Sequence, residues 1–194
     1  MRKELLHGDD IFVLHDFLTP DECARFIAAS EAVGYGDAPI GGSAGIVVKE
    51  LRNNERVMID DVATAAELYE RARPFLPDEF LEWQPRGFNE RFRYYRYTAG
   101  QKFDWHFDGE FHRDNGEQSK YTIMIYLNDT CTGGETLFHL HEGKVEDDVA
   151  DLRVRPSPGK LLAFRHDVLH TGAVVLDGVK YVMRTDVMFR PKAG

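Results

Sequence analysis

Sulfur is scarce in this chain. Two cysteines, Cys23 and Cys131, are too few for a disulfide framework, and neither lies near the histidines that carry the chemistry below. So little cysteine points to a reducing, cytoplasmic location. Apolar residues never run to the ~20 positions of a membrane-spanning helix, so no membrane partner is expected. Met1 to Asp10 also lacks the apolar core of a secretory signal. Positive charge is in the minority: 24 Lys+Arg against 33 Asp+Glu give a net charge of −9. That balance disfavours a nucleic-acid partner and favours solubility. The chain has no internal repeat, low-complexity tract or convincing linker. Its 194 residues, 43% hydrophobic, suit one domain with a proper core. Nothing in the sequence speaks to oligomeric state.

What is present divides into two regions. Residues 1–90 carry the helices. Asp10 to Phe17 reads as a short strand. Thr19-Pro20-Asp21-Glu22 is a capping box with proline at the first helical position, followed by Cys23, Phe26, Ile27 and Ala28 at helical spacing and ended by Gly34. A second helix is predicted from about Asp61 to Phe75, with Val62, Ala65, Ala66, Leu68 and Tyr69 on its apolar side. Ala38 to Asn54 is glycine-rich and polar, a loop or irregular hairpin. Residues 91–194 change to short strands with turn signals. Tyr121 to Leu127 should be buried on both faces. Thr132 to Phe138 turns into a strand, and Pro156-Ser157-Pro158-Gly159 launches another over Lys160 to Arg165. Asp177-Gly178 suggests a hairpin between Val174-Val175 and Lys180 to Phe189. Helices followed by about eight strands predict an α+β chain whose core is a double-sheet jelly roll, or double-stranded β-helix, buttressed by the N-terminal helices.

His106-Phe107-Asp108 together with His170 is the strongest chemical signal. Two histidines and a carboxylate form the ligand set of a mononuclear non-haem Fe(II) site, covering one face of an octahedron and leaving three positions open. On a strand, residues i and i+2 share a face, so His106 and Asp108 can reach one ion. Trp105 and Phe107 would then face the other way, as packing. The chain holds other histidines. His112-Arg113-Asp114 repeats the spacing but lies in a polar loop, Gly109 to Ser119, which is also a candidate lid. His166 could share a face with His170. His139 and His141 precede the acidic stretch Glu142 to Asp151, a surface hairpin in its simplest reading. Arg91, Arg93 and Arg96 read as a solvated strand edge. Arg52, Asn53 and Asn54 are either a polar loop or part of a substrate lid.

Several short motifs in one order give a family resemblance. Tyr97-Thr98-Ala99-Gly100-Gln101-Lys102-Phe103-Asp104-Trp105-His106-Phe107-Asp108, Tyr126-Leu127-Asn128-Asp129, Gly133-Gly134-Glu135-Thr136, Pro158-Gly159, His170-Thr171-Gly172 and Gly178-Val179-Lys180-Tyr181 together resemble the Fe(II)- and 2-oxoglutarate-dependent oxygenases. The resemblance is to the prolyl 4-hydroxylase-like branch and covers about half the chain. It implies His106, Asp108 and His170 as iron ligands, the His-Thr-Gly pattern favouring His170 over His166. It implies Lys180 as anchor for the far carboxylate of 2-oxoglutarate, with Tyr97 and Tyr126 lining that pocket. Arg184 competes, because arginine is the better bidentate carboxylate partner. Lys180 and Arg184 share a strand face roughly 13 Å apart, so only one of them grips that carboxylate end-on, Lys180 by the family's spacing or Arg184 by its chemistry; as the alternative, Arg184 binds a substrate acid or pairs with Asp186. The implied cofactors are Fe(II), 2-oxoglutarate and O2, with ascorbate a further candidate. The implied reaction hydroxylates an unactivated C–H of a peptidyl proline, an amino acid or another small molecule, releasing succinate and CO2. Two rivals stand beside it: a cupin-like metal enzyme that does not use 2-oxoglutarate, and a non-catalytic sensor that binds Fe(II) and 2-oxoglutarate.

Overall fold

The capping box at the first helix forms as the sequence dictates. Thr19 Oγ1 accepts the Glu22 N–H at 3.2 Å, and the Glu22 carboxylate accepts the Thr19 N–H at 2.7 Å. The computed structural model describes residues 1–39, 46, 48–140 and 150–192. Helix α1 runs Pro20–Val33 and ends on Gly34 at φ 92°. Helix α2 runs Val62–Ala72, capped by Asp61, and continues as a 3-10 turn over Arg73–Phe75. Ala65, Leu68, Tyr69 and Ala72 form its buried stripe at i, i+3, i+4 and i+7. Val62 and Ala66, also expected on that stripe, are exposed, one turn apart along its margin. Arg71 of α2 donates to both the Phe17 carbonyl (3.1 Å) and the Glu22 carboxylate (2.8 Å), tying the helices together.

Fourteen strands are described: β1 Arg2–His7, β2 Ile11–His15, β3 Gly36–Asp37, β4 Glu55–Asp60, β5 Trp83–Phe88, β6 Arg91–Thr98, β7 Phe103–His106, β8 Gln118–Tyr126, β9 Cys131–Gly133, β10 Thr136–His139, β11 Leu152–Val154, β12 Leu161–Arg165, β13 Leu169–Gly172 and β14 Val175–Pro191. The large sheet is ordered β1-β2-β12-β8-β14-β6-β4-β3, with β5 and β9 also on β14. The small sheet is ordered β11-β10-β13-β7. Two antiparallel sheets of this kind are a jelly roll. One core cluster lies between the sheets, with Tyr95, Tyr97, Tyr126, Phe138, Phe164 and Val182. The other lies between the large sheet and the helices, with Phe12, Leu14, Leu68, Tyr94, Ile123 and Met183. Strands β2 and β8 read as continuous apolar runs because each faces both clusters, odd residues to one side and even to the other.

Three features depart from the sequence reading. The stretch Arg2–His7 is a strand, paired with β2, so residues 1–90 supply strands to the large sheet as well as helices. The hairpin expected at Asp177-Gly178 does not form. Both flanks belong to the single strand β14, which pairs with β9 over Val175 to Gly178 and with β6 and β8 beyond it. Gly178 permits this path: at φ +79° its Cβ would lie 2.1 Å from the Thr130 carbonyl oxygen. Strand β6 is not an edge but sits between β14 and β4. Its arginines are therefore matched individually, Arg91 by Asp60, Arg93 by Asp186 and Arg96 by Glu31 and Glu55. Of the predicted surface hairpin, residues 141–149 lie outside those described.

Candidate metal centre

Strands β7 and β13 are neighbours in the small sheet, and His106 stands directly opposite His170 in their register. Cross-strand placement therefore brings the two imidazoles together, with ring centroids 4.2 Å apart, whereas the strand alternation expected of His106 and Asp108 does not apply, Asp108 lying beyond the end of β7. Strand β7 ends at His106, and Asp108 reaches back from the segment beyond it, its N–H donating to the His166 carbonyl at 3.1 Å. His106 Nε2 lies 3.7 Å from Asp108 Oδ1, and His170 Nε2 lies 3.7 Å from Asp108 Oδ2. One donor atom from each residue lies within 4.8 Å of the others. A single ion fits among them.

The surroundings orient each donor. His106 Nδ1 donates to the Asp104 carbonyl at 2.7 Å and His170 Nδ1 to the Val168 carbonyl at 3.0 Å, which leaves both Nε2 lone pairs facing the centre. Burial, helped by the neighbouring His170, pushes the His106 imidazole down to about 3, and burial lowers His170 as well. Both rings are thus neutral at ordinary pH, as a metal ligand must be. Asp108 is deeply buried. Burial works against its charge, but the Arg184 guanidinium outweighs it and holds the carboxyl well below the usual range. Arg184 Nη1 donates to Asp108 Oδ1 at 2.7 Å and Thr122 Oγ1 donates to Oδ2 at 2.6 Å. Phe103 stacks on His106 with centroids 3.6 Å apart. Two neutral imidazoles and one ionised carboxylate fit a divalent first-row cation such as Fe(II).

A pocket runs from this cluster into the jelly roll, lined in part by Tyr97, Thr136, Lys180 and Val182. Lys180 is 2% exposed, and its Nζ lies over the rings of Tyr97 (4.9 Å) and Tyr126 (5.7 Å). Among the described residues no carboxylate pairs with it. A buried ammonium without an anion suits a ligand that brings one, as the dicarboxylate 2-oxoglutarate does. Burial pushes the Tyr97 phenol up to about 12, so it stays a hydrogen-bond donor. The Tyr126 hydroxyl is engaged by Thr136 Oγ1 at 2.6 Å. Arg184, the rival anchor, is already committed to Asp108 and to Asp186, 3.2 Å away.

The remaining sequence candidates separate cleanly. His166 is buried 3.7 Å from Asp186 and lies outside the cluster. His112 is exposed beside Glu110. His139 packs edge-on against Trp105. Phe107, expected as packing, is 61% exposed; it follows the end of β7 and sits on the lip of a second, open cavity of 470 Å³ that reaches His106 and Asp108. Arg52 is buried on the wall of the same cavity. Sequence reasoning missed Thr122 and the bond from Arg184 to Asp108. Thr122 had a signal, the one aliphatic hydroxyl in the run Tyr121 to Leu127, whereas the Arg184 contact joins residues 76 positions apart.

Residues 92–185 match the family described as the 2OG-Fe(II) oxygenase superfamily. Over that stretch, just under half of its length, the chain is similar to this superfamily. Its curated relatives include probable prolyl 4-hydroxylase 7 of Arabidopsis thaliana, 26% identical over 88% of this chain. The chain spans 60% of that relative's length. Among solved structures, a viral collagen prolyl hydroxylase from Paramecium Bursaria Chlorella virus-1, in a 2OG complex, is similar with a TM-score of 0.60 at 21% identity, covering 92% of this chain and 96% of that one. A prolyl hydroxylase in complex with a hypoxia inducible factor oxygen degradation domain peptide fragment, from Trichoplax adhaerens, is similar with a TM-score of 0.66 at 15% identity, covering 92% and 83%. At these identities the structures establish a shared fold alone. No described helix is long and apolar enough to cross a membrane.

Proposed function

We propose that this protein is a dioxygenase that uses Fe(II), 2-oxoglutarate and O2 to hydroxylate an unactivated C–H of its substrate, releasing succinate and CO2. The observation that carries the reading is a two-histidine, one-carboxylate cluster at the mouth of a pocket whose buried lysine has no carboxylate partner among the described residues. His106, Asp108 and His170 would hold the metal. Lys180 would bind the far carboxylate of 2-oxoglutarate, with Tyr97 donating a hydrogen bond nearby. Tyr126 would act through its ring and through Thr136, shaping the pocket around Lys180. Arg184 acts on Asp108 rather than on cosubstrate: it keeps that carboxylate ionised and fixes its direction. The metal-bound cosubstrate supplies the oxidising power when both are present; the protein supplies orientation and a dry enclosure.

The open cavity over His106 and Asp108 is where substrate would enter. A peptidyl proline is the substrate class best supported, since the curated relatives are prolyl 4-hydroxylases and one structural neighbour holds a peptide. Anaerobic titration with Fe(II) and then 2-oxoglutarate tests the reading. A weak visible charge-transfer band is expected from the iron–oxoacid chelate, abolished in His106→Ala and weakened in Lys180→Ala. Iron binding without such a band would remove 2-oxoglutarate from the reaction.

A further inference from the structure

Four arginines, Arg52, Arg56, Arg93 and Arg184, line the open cavity over the metal cluster. Two are neutralised. Arg184 is paired with Asp108 and Asp186, and Arg93 with Asp186. The other two are not. Arg52 is 5% exposed, its guanidinium held between the rings of Phe103 (4.2 Å) and Tyr95 (4.6 Å). Its Nε donates to Asn54 Oδ1 at 2.8 Å, but its Nη2 is buried with no hydrogen-bond partner. Arg56, half-buried on β4 opposite Tyr95, has no carboxylate partner among the described residues. The acids on the same wall are occupied, Asp104 by Lys102, Glu110 by Lys120 and Asp108 by Arg184.

An unsatisfied buried donor is costly, and aromatic faces hold a guanidinium without accepting its N–H bonds. In a chain of net charge −9, two uncompensated cations beside the reaction centre make a local field of the opposite sign, which a cavity concentrates. We propose that Arg52 and Arg56 form a carboxylate subsite, so that the substrate carries an acid group close to the carbon that is oxidised. The inference rests on the proposed dioxygenase function and narrows its substrate. Either an acidic residue beside a peptidyl proline or the α-carboxylate of a free amino acid supplies the group.

Calorimetry under anaerobic conditions, on protein loaded with Fe(II) and 2-oxoglutarate, tests this with two probe pairs. Acetyl-Pro-Glu-amide is compared with acetyl-Pro-Gln-amide, and L-proline with L-prolinamide. The structure leads us to expect the carboxylate member of one pair to bind about tenfold tighter or more; which pair responds identifies the source of the acid. The preference should shrink at high salt and be lost in Arg52→Gln and in Arg56→Gln, while the iron–2-oxoglutarate band persists in both. If removal of the stacked Arg52 prevents folding, the half-buried Arg56→Gln carries the test alone. Equal affinities within both pairs, or no binding of either carboxylate probe in the millimolar range, would overturn the subsite. So would a preference that survives Arg56→Gln. Absence of the band in the wild-type protein would instead overturn the dioxygenase reading and this inference with it.

Discussion

Replacing Lys180 with methionine should make the protein more stable and less able to hold 2-oxoglutarate. The lysine is 2% exposed and faces two aromatic rings. Burial pushes its ammonium down from an ordinary value near 10.5 to about 8. That difference is on the order of 3 kcal/mol against the charged form in the folded state. Below about pH 8 the folded protein carries the whole penalty. Between about 8 and 10.5 the unfolded chain keeps a proton that the folded one has lost, so stability rises with pH across that window. Methionine has similar length and no charge, so Lys180→Met should gain about 2–3 kcal/mol at neutral pH without ligand and lose the alkaline rise. Cosubstrate reverses the ranking. At a hundred times its Kd, 2-oxoglutarate should add about 2.7 kcal/mol to the wild type, and far less to a variant without the anchor. Urea unfolding at neutral and alkaline pH, with and without 2-oxoglutarate, reads all of this. A variant less stable than wild type at neutral pH, or one stabilised equally by 2-oxoglutarate, would refute the reasoning.

Three more expectations come from the same coordinates. Asp108→Ala should abolish metal binding, measured by equilibrium dialysis, and also lower stability by about 1–3 kcal/mol because Arg184 and Thr122 each lose a buried acceptor, Arg184 keeping only Asp186; His106→Ala should abolish metal binding with a smaller loss. Because both imidazoles are already neutral, metal binding near neutral pH should release almost no protons from them, and calorimetry in buffers of different ionisation enthalpy that showed one or more protons released would contradict this. Gly178→Ala should destabilise by roughly 1–3 kcal/mol in thermal unfolding, since its Cβ meets the Thr130 carbonyl at 2.1 Å.

Local rules made much of this molecule legible. Thr19 to Glu22 announced a helix start because capping is a four-residue event, and Tyr121 to Leu127 announced burial because β8 faces a core on each side. The motif at His106 and Asp108 was legible as chemistry, although the meeting of His106 with His170 comes from pairing between β7 and β13, which no local spacing states. What stayed hidden depends on distant partners. Whether β6 is an edge depends on β4 and β14 lying beside it. That Arg184 bonds to Asp108 rests on a contact across 76 positions. Arg2–His7 is a strand because β2 offers it a free edge, and Gly178 is a bend within a strand because Cys131 and Thr132 lie alongside.

Strand β14 carries both Lys180 and Arg184 on one face, four residues apart, with Arg184 bonded to the aspartate of the metal cluster. On the proposed function, the spacing from Lys180 to Arg184, roughly 13 Å along the strand, is a ruler marked in residues between the cosubstrate's far carboxylate and the aspartate of the metal cluster. Substitutions at either mark can weaken a grip but cannot change the length of acid the pocket measures. Only a slip of the whole strand by two positions would recalibrate it, and a strand hydrogen-bonded to both β6 and β8 along that stretch has no neighbour willing to slip with it.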